Sequence, residues 1–139
     1  MLMQAVLSAT NVRKDWSRFI DTVVHGRPLA VQRNRDILLA VSLPQALELL
    51  RDRRFTLRYE FESDGSISGS LEEIDLVGNA SDLSALKRDL AQQLIDYSQT
   101  YIDRFELYFN APNRRRHFPY VLHVLLLEAI EDVEALIDA

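Results

Sequence analysis

The apolar residues change their period at Phe55, and that change limits the chain to a fold made of two differently built segments. Phe55, Leu57, Tyr59 and Phe61 alternate with polar residues, the spacing of a strand with one buried face. Upstream, Val12, Trp16, Phe19, Ile20 and Val23 recur at helical spacing and predict one apolar helix face, with Trp16 as a core residue. No Gly-, Pro- or Ser-rich linker marks the seam near Arg53. The reading is therefore one α+β chain in two parts, residues 1–54 and 55–139.

In the first part, Met3–Leu7 reads as a short strand. Ser8 or Thr10 is placed to cap the helix that follows, since a hydroxyl accepts from the free amides of a first turn. His25-Gly26-Arg27-Pro28 ends that helix, with Gly26 suited to a left-handed cap. Leu29–Gln32 and Ile37–Val41 flank Arg33-Asn34-Arg35-Asp36 and predict a hairpin, because Asn34 tolerates positive φ. Leu43-Pro44 opens a second helix with Pro44 in its first turn.

In the second part, Ser63-Asp64-Gly65-Ser66 is a hairpin turn signal. Ser66–Leu71 returns as a strand, and Ile74–Val77 is expected to be a short third one. Ser81 or Asp82 caps a long helix with Leu83, Leu86, Leu90, Leu94, Tyr97 and Tyr101 on one face. After a break at Ala111-Pro112-Asn113 a last helical region starts near Arg114. Its stretch Tyr120–Leu127 is apolar nearly all round and is expected to be buried.

Charge is distributed as unevenly as hydrophobicity. Residues 1–54 carry nine Lys/Arg against five Asp/Glu, and the remainder carries seven against sixteen. The formal net charge of −5 thus hides a basic head on an acidic body, a layout suited to holding phosphate at one end and another partner at the other.

Several chemistries are excluded. No cysteine is present, which removes disulfides and thiolate metal sites and makes a reducing cytoplasm the expectation. The first residues lack the pattern of a signal peptide, and no apolar run approaches a membrane span. Asp64, Glu72, Glu73 and Asp75 form the one acidic cluster worth testing as a metal site. Asp64 is consumed by the turn, and neighbouring Glu72 and Glu73 face opposite ways if they lie on a strand. His25, His117 and His123 do not share the four-residue spacing of a helical ligand pair. No metal, no cofactor and no catalytic centre are expected.

The order strand, helix, hairpin, helix over residues 3 to about 50 resembles the Phd/YefM antitoxins. Ser8 through Phe19 carries the likeness, with a capped helix and Arg13 ahead of an apolar position. So does Leu29-Ala-Val-Gln-Arg33-Asn34-Arg35 followed by Ile37–Val41 and Ser-Leu-Pro. This sequence has no glycine in that turn, a position the family usually gives to Gly. The resemblance implies a homodimer or higher homo-oligomer that presents two basic patches to operator DNA. It implies contacts from Ser8, Asn11, Arg13 and Lys14 at the helix and from Arg33 and Arg35 at the turn. A hydroxyl-capped helix start can hold an anion, and Arg grips phosphate or guanine bidentately.

Residues 55 to about 97 resemble HicB-type antitoxins, through the amphipathic strand, Asp64-Gly65, the strand ending Ser-Leu-Glu-Glu-Ile-Asp-Leu and the leucine-rich helix. That likeness implies a small antiparallel sheet with helices, a partial ribonuclease-H-like fold that contacts a toxin and is not an enzyme. Together the resemblances imply a type II antitoxin that represses its own promoter and neutralises a cognate toxin. The alternative is an oligomeric interaction protein that does not bind DNA. The runs Arg51/Arg53/Arg54 and Arg114–Arg116 read as cations favoured at helix ends, with acidic residues of a partner as the alternative for the second run. Tyr97, Tyr101, Phe105, Tyr108 and Phe109 read as core first, with a groove for a toxin or a second subunit as the alternative.

Overall fold

A computed structural model describes residues 1–139. It contains seven α-helices and two mixed sheets, in two compact units, residues 1–49 and 50–139. No helix is long and apolar enough to cross a membrane.

The first unit is a three-stranded sheet with helices. β1 (Leu7–Ser8) pairs in parallel with β2 (Leu29–Arg33), and β2 pairs antiparallel with β3 (Asp36–Ala40). The expected strand Met3–Leu7 is confined to Leu7–Ser8, because only there does β2 offer a partner, Val31 and Gln32. The predicted single helix is two, α1 (Ala9–Lys14) and α2 (Trp16–His25). Asp15, at φ −137°, breaks the helix and caps the second half through its carboxylate, which accepts from Arg18 N–H at 3.3 Å.

That break divides the apolar stripe. Val12, Phe19 and Val23 are buried with Leu29 and Val31, whereas Trp16 is 57% exposed and Ile20 38%. The expectation that Trp16 is core is thus corrected for the single chain. Gly26 is also not in the left-handed region: its φ is −125°. Glycine is needed there because a Cβ would sit 2.5 Å from the Thr22 carbonyl oxygen. α3 (Leu43–Leu50) opens with a capping box. Ser42 N–H donates to Gln45 Oε1 at 2.9 Å, and Gln45 N–H to Ser42 Oγ at 3.4 Å.

In the second unit β4 (Phe55–Phe61), β5 (Ile67–Leu71) and β6 (Val77–Ala80) form an antiparallel meander, joined across β4 by a parallel strand β7 (Ile137–Asp138). The sheet is therefore mixed, not purely antiparallel. The expected third strand lies later than Ile74–Val77, because Ile74 leaves the edge and turns its side chain into the core at 2% exposure. Gly65 takes φ +87° in the predicted turn, and the Asp64 carboxylate accepts from Ser66 N–H and Oγ–H.

α4 (Leu83–Asp103), capped by Asp82 on Ala85 N–H at 2.8 Å, lays Leu86, Leu90 and Leu94 into the core. α5 (Phe105–Asn110), a short 3-10 turn at Arg115–His117, α6 (Phe118–Leu125) and α7 (Ile130–Glu134) complete the unit. Val121 and Val124 of α6 join that core, as the apolar stretch predicted. Arg54 ties the two ends of the unit together by donating to both oxygens of Asp138 and to the Ala135 carbonyl.

Candidate nucleic-acid interface

The parallel register of β1 and β2 decides where the basic residues gather. Ser8 lies opposite Gln32, and both strands run the same way. The first turn of α1 and the Asn34–Arg35 turn therefore emerge at the same end of the first sheet. Ser8 Oγ accepts from Asn11 N–H at 3.1 Å, so its oxygen serves the cap while its O–H stays free to donate. Asn11, Arg13 and Lys14 follow on α1, all exposed. Arg13 and Lys14 lie five and six residues beyond Ser8, about 8–9 Å further along the helix at 1.5 Å per residue.

Arg33 closes β2 opposite Asp36, leaving Asn34 and Arg35 as the loop. Asn34 takes φ +56°, the conformation for which glycine or asparagine is suited. The turn lacks glycine because Asn34 occupies the demanding position. Gln32 Nε2 donates to the Asn34 carbonyl at 3.0 Å and braces it. All six residues expected to meet DNA are exposed.

The cations of the two units are used differently. In the second, Arg54 pairs with Asp138, Arg58 with Glu72, and Arg88 with Glu131 and Glu134. Arg114 lies 4.6 Å over the Tyr108 ring and Arg115 4.4 Å over that of Phe109. Ring faces and carboxylates already engage those guanidiniums, and Arg115 also donates to the Phe109 carbonyl at 3.0 Å in the last turn of α5, as a helix-end cation would. In the first unit Arg13, Lys14, Arg33 and Arg35 have no carboxylate within ion-pair distance. Four unpaired cations on one small unit leave its field uncompensated and directed to solvent.

Sequence reasoning missed the apolar surface of the same unit. Trp16, Ile20 and Val24 form an exposed stripe at four-residue spacing along α2, and Ile37, Leu38 and Leu39 are exposed on the edge strand β3. The signal was present: Trp16-Ile20-Val24 is a second stripe beside the buried Phe19 and Val23. Periodicity does not tell which of two neighbouring stripes the single chain covers.

Two members of the acidic cluster are engaged within the second sheet. Glu73 accepts from Thr56 N–H at 2.7 Å and from its hydroxyl at 2.9 Å, and Glu72 pairs with Arg58. Both carboxylates serve the sheet.

The first unit thus carries unpaired cations and an uncovered apolar stripe. The sequence matches, over residues 3–139, the family described as PHD-like, antitoxin of toxin-antitoxin, RelE/RelB, TA system. The chain belongs to that antitoxin family, whose members are not enzymes and each have a cognate toxin as partner. Among solved structures it is similar to a chain from Syntrophomonas wolfei subsp. wolfei assigned as the antitoxin part of a toxin/antitoxin system. The two share 40% identity and a TM-score of 0.92 over 98% of this chain and 97% of the other. A comparison with curated proteins found no match. One family thus spans both units.

Proposed function

We propose that this antitoxin binds operator DNA as a homodimer, represses its own promoter and neutralises its toxin by direct contact in the cytoplasm. The observation that carries the DNA half is the set of unpaired cations at α1 and the β2–β3 turn. Arg33 and Arg35 on a braced turn supply phosphate or base-edge contacts, and Ser8, Asn11, Arg13 and Lys14 extend the patch along α1. Backbone contacts of this kind release counterions, so affinity falls steeply with salt. The exposed stripe Trp16-Ile20-Val24 supports the dimer, because a small unit gains its missing core from a second copy. The toxin-binding role falls to the second unit, as the HicB-like pattern of residues 55–97 implies. Its acidic surface suits a basic partner.

The test is fluorescence anisotropy on DNA from the chain's own upstream region at several salt concentrations. Contacts to about six phosphates across a dimer give a log–log salt slope of about −5. The Arg33→Ala/Arg35→Ala variant is expected to bind more weakly with a shallower slope. Absence of binding at low salt would favour the alternative, an interaction protein whose first unit only dimerises.

A further inference from the structure

β7 covers only Phe55 and Thr56 of β4. From Leu57 to Phe61, β4 has β5 on one side and no strand on the other. The existing bonds fix which backbone groups face that open edge. Phe55 N–H donates to Leu136 O at 2.9 Å on the β7 side. Thr56 O accepts from Glu72 N–H, and Glu62 N–H donates to Ser66 O, on the β5 side. Since strand residues alternate in direction, Arg58 and Glu60 turn their amides and carbonyls into the β5 ladder. Tyr59 and Phe61 turn theirs outward, unpaired.

The side chains on that edge are equally uncovered. Tyr59 is 41% exposed and Phe61 74%, with their rings in edge contact at 6.2 Å. An open edge of this kind is ordinarily blunted by charge, proline, a bulge or a cover; here Arg58 is neutralised by Glu72 and Glu60 is the charge left on the run. The run Leu57-Arg58-Tyr59-Glu60-Phe61 has no proline. An edge bearing free amides and alternate aromatic side chains has the form of a strand-addition site: backbone bonds give affinity and alternate side chains give selectivity.

We propose that the cognate toxin docks here by adding an extended segment alongside β4 beyond the end of β7; this rests on the toxin-binding role proposed above. The segment alternates apolar residues with Lys or Arg. Its apolar side covers Tyr59 and Phe61, and its cations meet Glu60 and Glu62 on the other face. Residues 50–139 carry ten basic and seventeen acidic side chains, which favours a cationic occupant. A second copy fits worse. Two-fold pairing centred on Tyr59 brings the other Phe61 opposite Leu57, against the end of β7. A shift by one residue sets Glu60 opposite Glu60, a like-charge pair that destabilises.

The experiment is amide hydrogen exchange, read by NMR on the full chain, alone and with the toxin expressed from the adjoining gene. The Tyr59 and Phe61 amides are expected to exchange freely in the chain alone and about a hundredfold more slowly in the complex. Tyr59→Pro removes one edge N–H without touching the β5 ladder and is expected to weaken toxin binding about tenfold or more. If that variant fails to fold, Glu60→Gln/Glu62→Gln, confined to exposed side chains, is expected to weaken toxin binding about threefold or more and to leave the Arg33/Arg35-dependent DNA binding in place. A complex that forms with both edge amides unprotected overturns the proposal and leaves the antitoxin reading intact. Edge amides already protected in the chain alone also overturn it, in favour of self-pairing. No complex at all removes the toxin-binding role and this proposal with it.

Discussion

His117 shows how much one side chain can hold at the residue scale. It is 8% exposed and its Nδ1 lies 2.7 Å from the Tyr97 hydroxyl. Burial, then the charges of Arg116 and Arg114, lower its pKa from the ordinary 6.5, against a smaller opposing pull from Asp75. The folded chain therefore resists protonating this ring at a pH where the unfolded chain accepts the proton. Its contribution to stability is full above the ordinary value and is lost as pH falls through the lower, folded one. Urea unfolding between pH 7 and 5 is expected to show declining stability, with a flatter profile for His117→Gln. An unchanged slope in the variant would mean that His117 is not the group responsible. Some residue-scale features were legible beforehand. Asn34 and Gly65 announced their positive φ because few residues occupy that region. Trp16 and Gly26 did not declare themselves, since an apolar side chain does not say what covers it and a glycine does not say whether it serves φ or space.

At the scale of elements, α4 rests on the meander through two glycines. A Cβ on Gly69 would stand 2.8 Å from Leu57 Cδ1 and 3.0 Å from both the Arg58 carbonyl oxygen and Leu86 Cδ2. The carbonyl belongs to the paired strand and cannot yield without opening the ladder. On Gly78 the nearest atom is Asp89 Oδ2 at 2.8 Å, the movable end of a side chain. Gly69→Ala is therefore expected to destabilise by about 1–3 kcal/mol, and Gly78→Ala by less, in denaturant titrations of the full chain. Equal costs would show that α4 is not seated by Gly69. The long elements could be read from the sequence because many residues repeat their signal, as Leu86, Leu90 and Leu94 do along α4. β7 could not: two residues, Ile137 and Asp138, carry no period, and their pairing with Phe55 and Thr56 spans most of the unit. β6 was misplaced because Gly78 and Asn79 are poor strand formers held there by pairing with Gly69 and Ser68.

At the scale of the whole molecule, the chain combines a first unit in which Arg13, Lys14, Arg33 and Arg35 are unpaired with an acidic second unit in which carboxylates engage Arg54, Arg58 and Arg88. Proposed DNA binding and proposed dimerisation meet in the first unit, so they can be tested together. Isolated exposed apolar residues are ordinary on a protein surface, but Trp16, Ile20 and Val24 are consecutive along one helix face, and three successive residues of β3 are exposed beside a modest core. Covering that surface with a second copy supplies apolar burial that residues 1–49 lack alone. Trp16→Asp/Val24→Asp places two carboxylates on the stripe and leaves Val12, Phe19 and Val23 themselves in place, though it removes the Trp16 ring that lies 5.4 Å from that of Phe19; circular dichroism of the variant checks that it is folded. Sedimentation velocity is expected to show a dimer for the wild-type chain and a monomer for this variant. Loss of one subunit halves the phosphates reached, so the salt slope of any remaining DNA binding should fall to about half. A variant that stays dimeric with an unaltered slope would place the subunit contact elsewhere. A monomer that keeps the full slope would separate the two functions, with all the DNA contacts then made by a single chain.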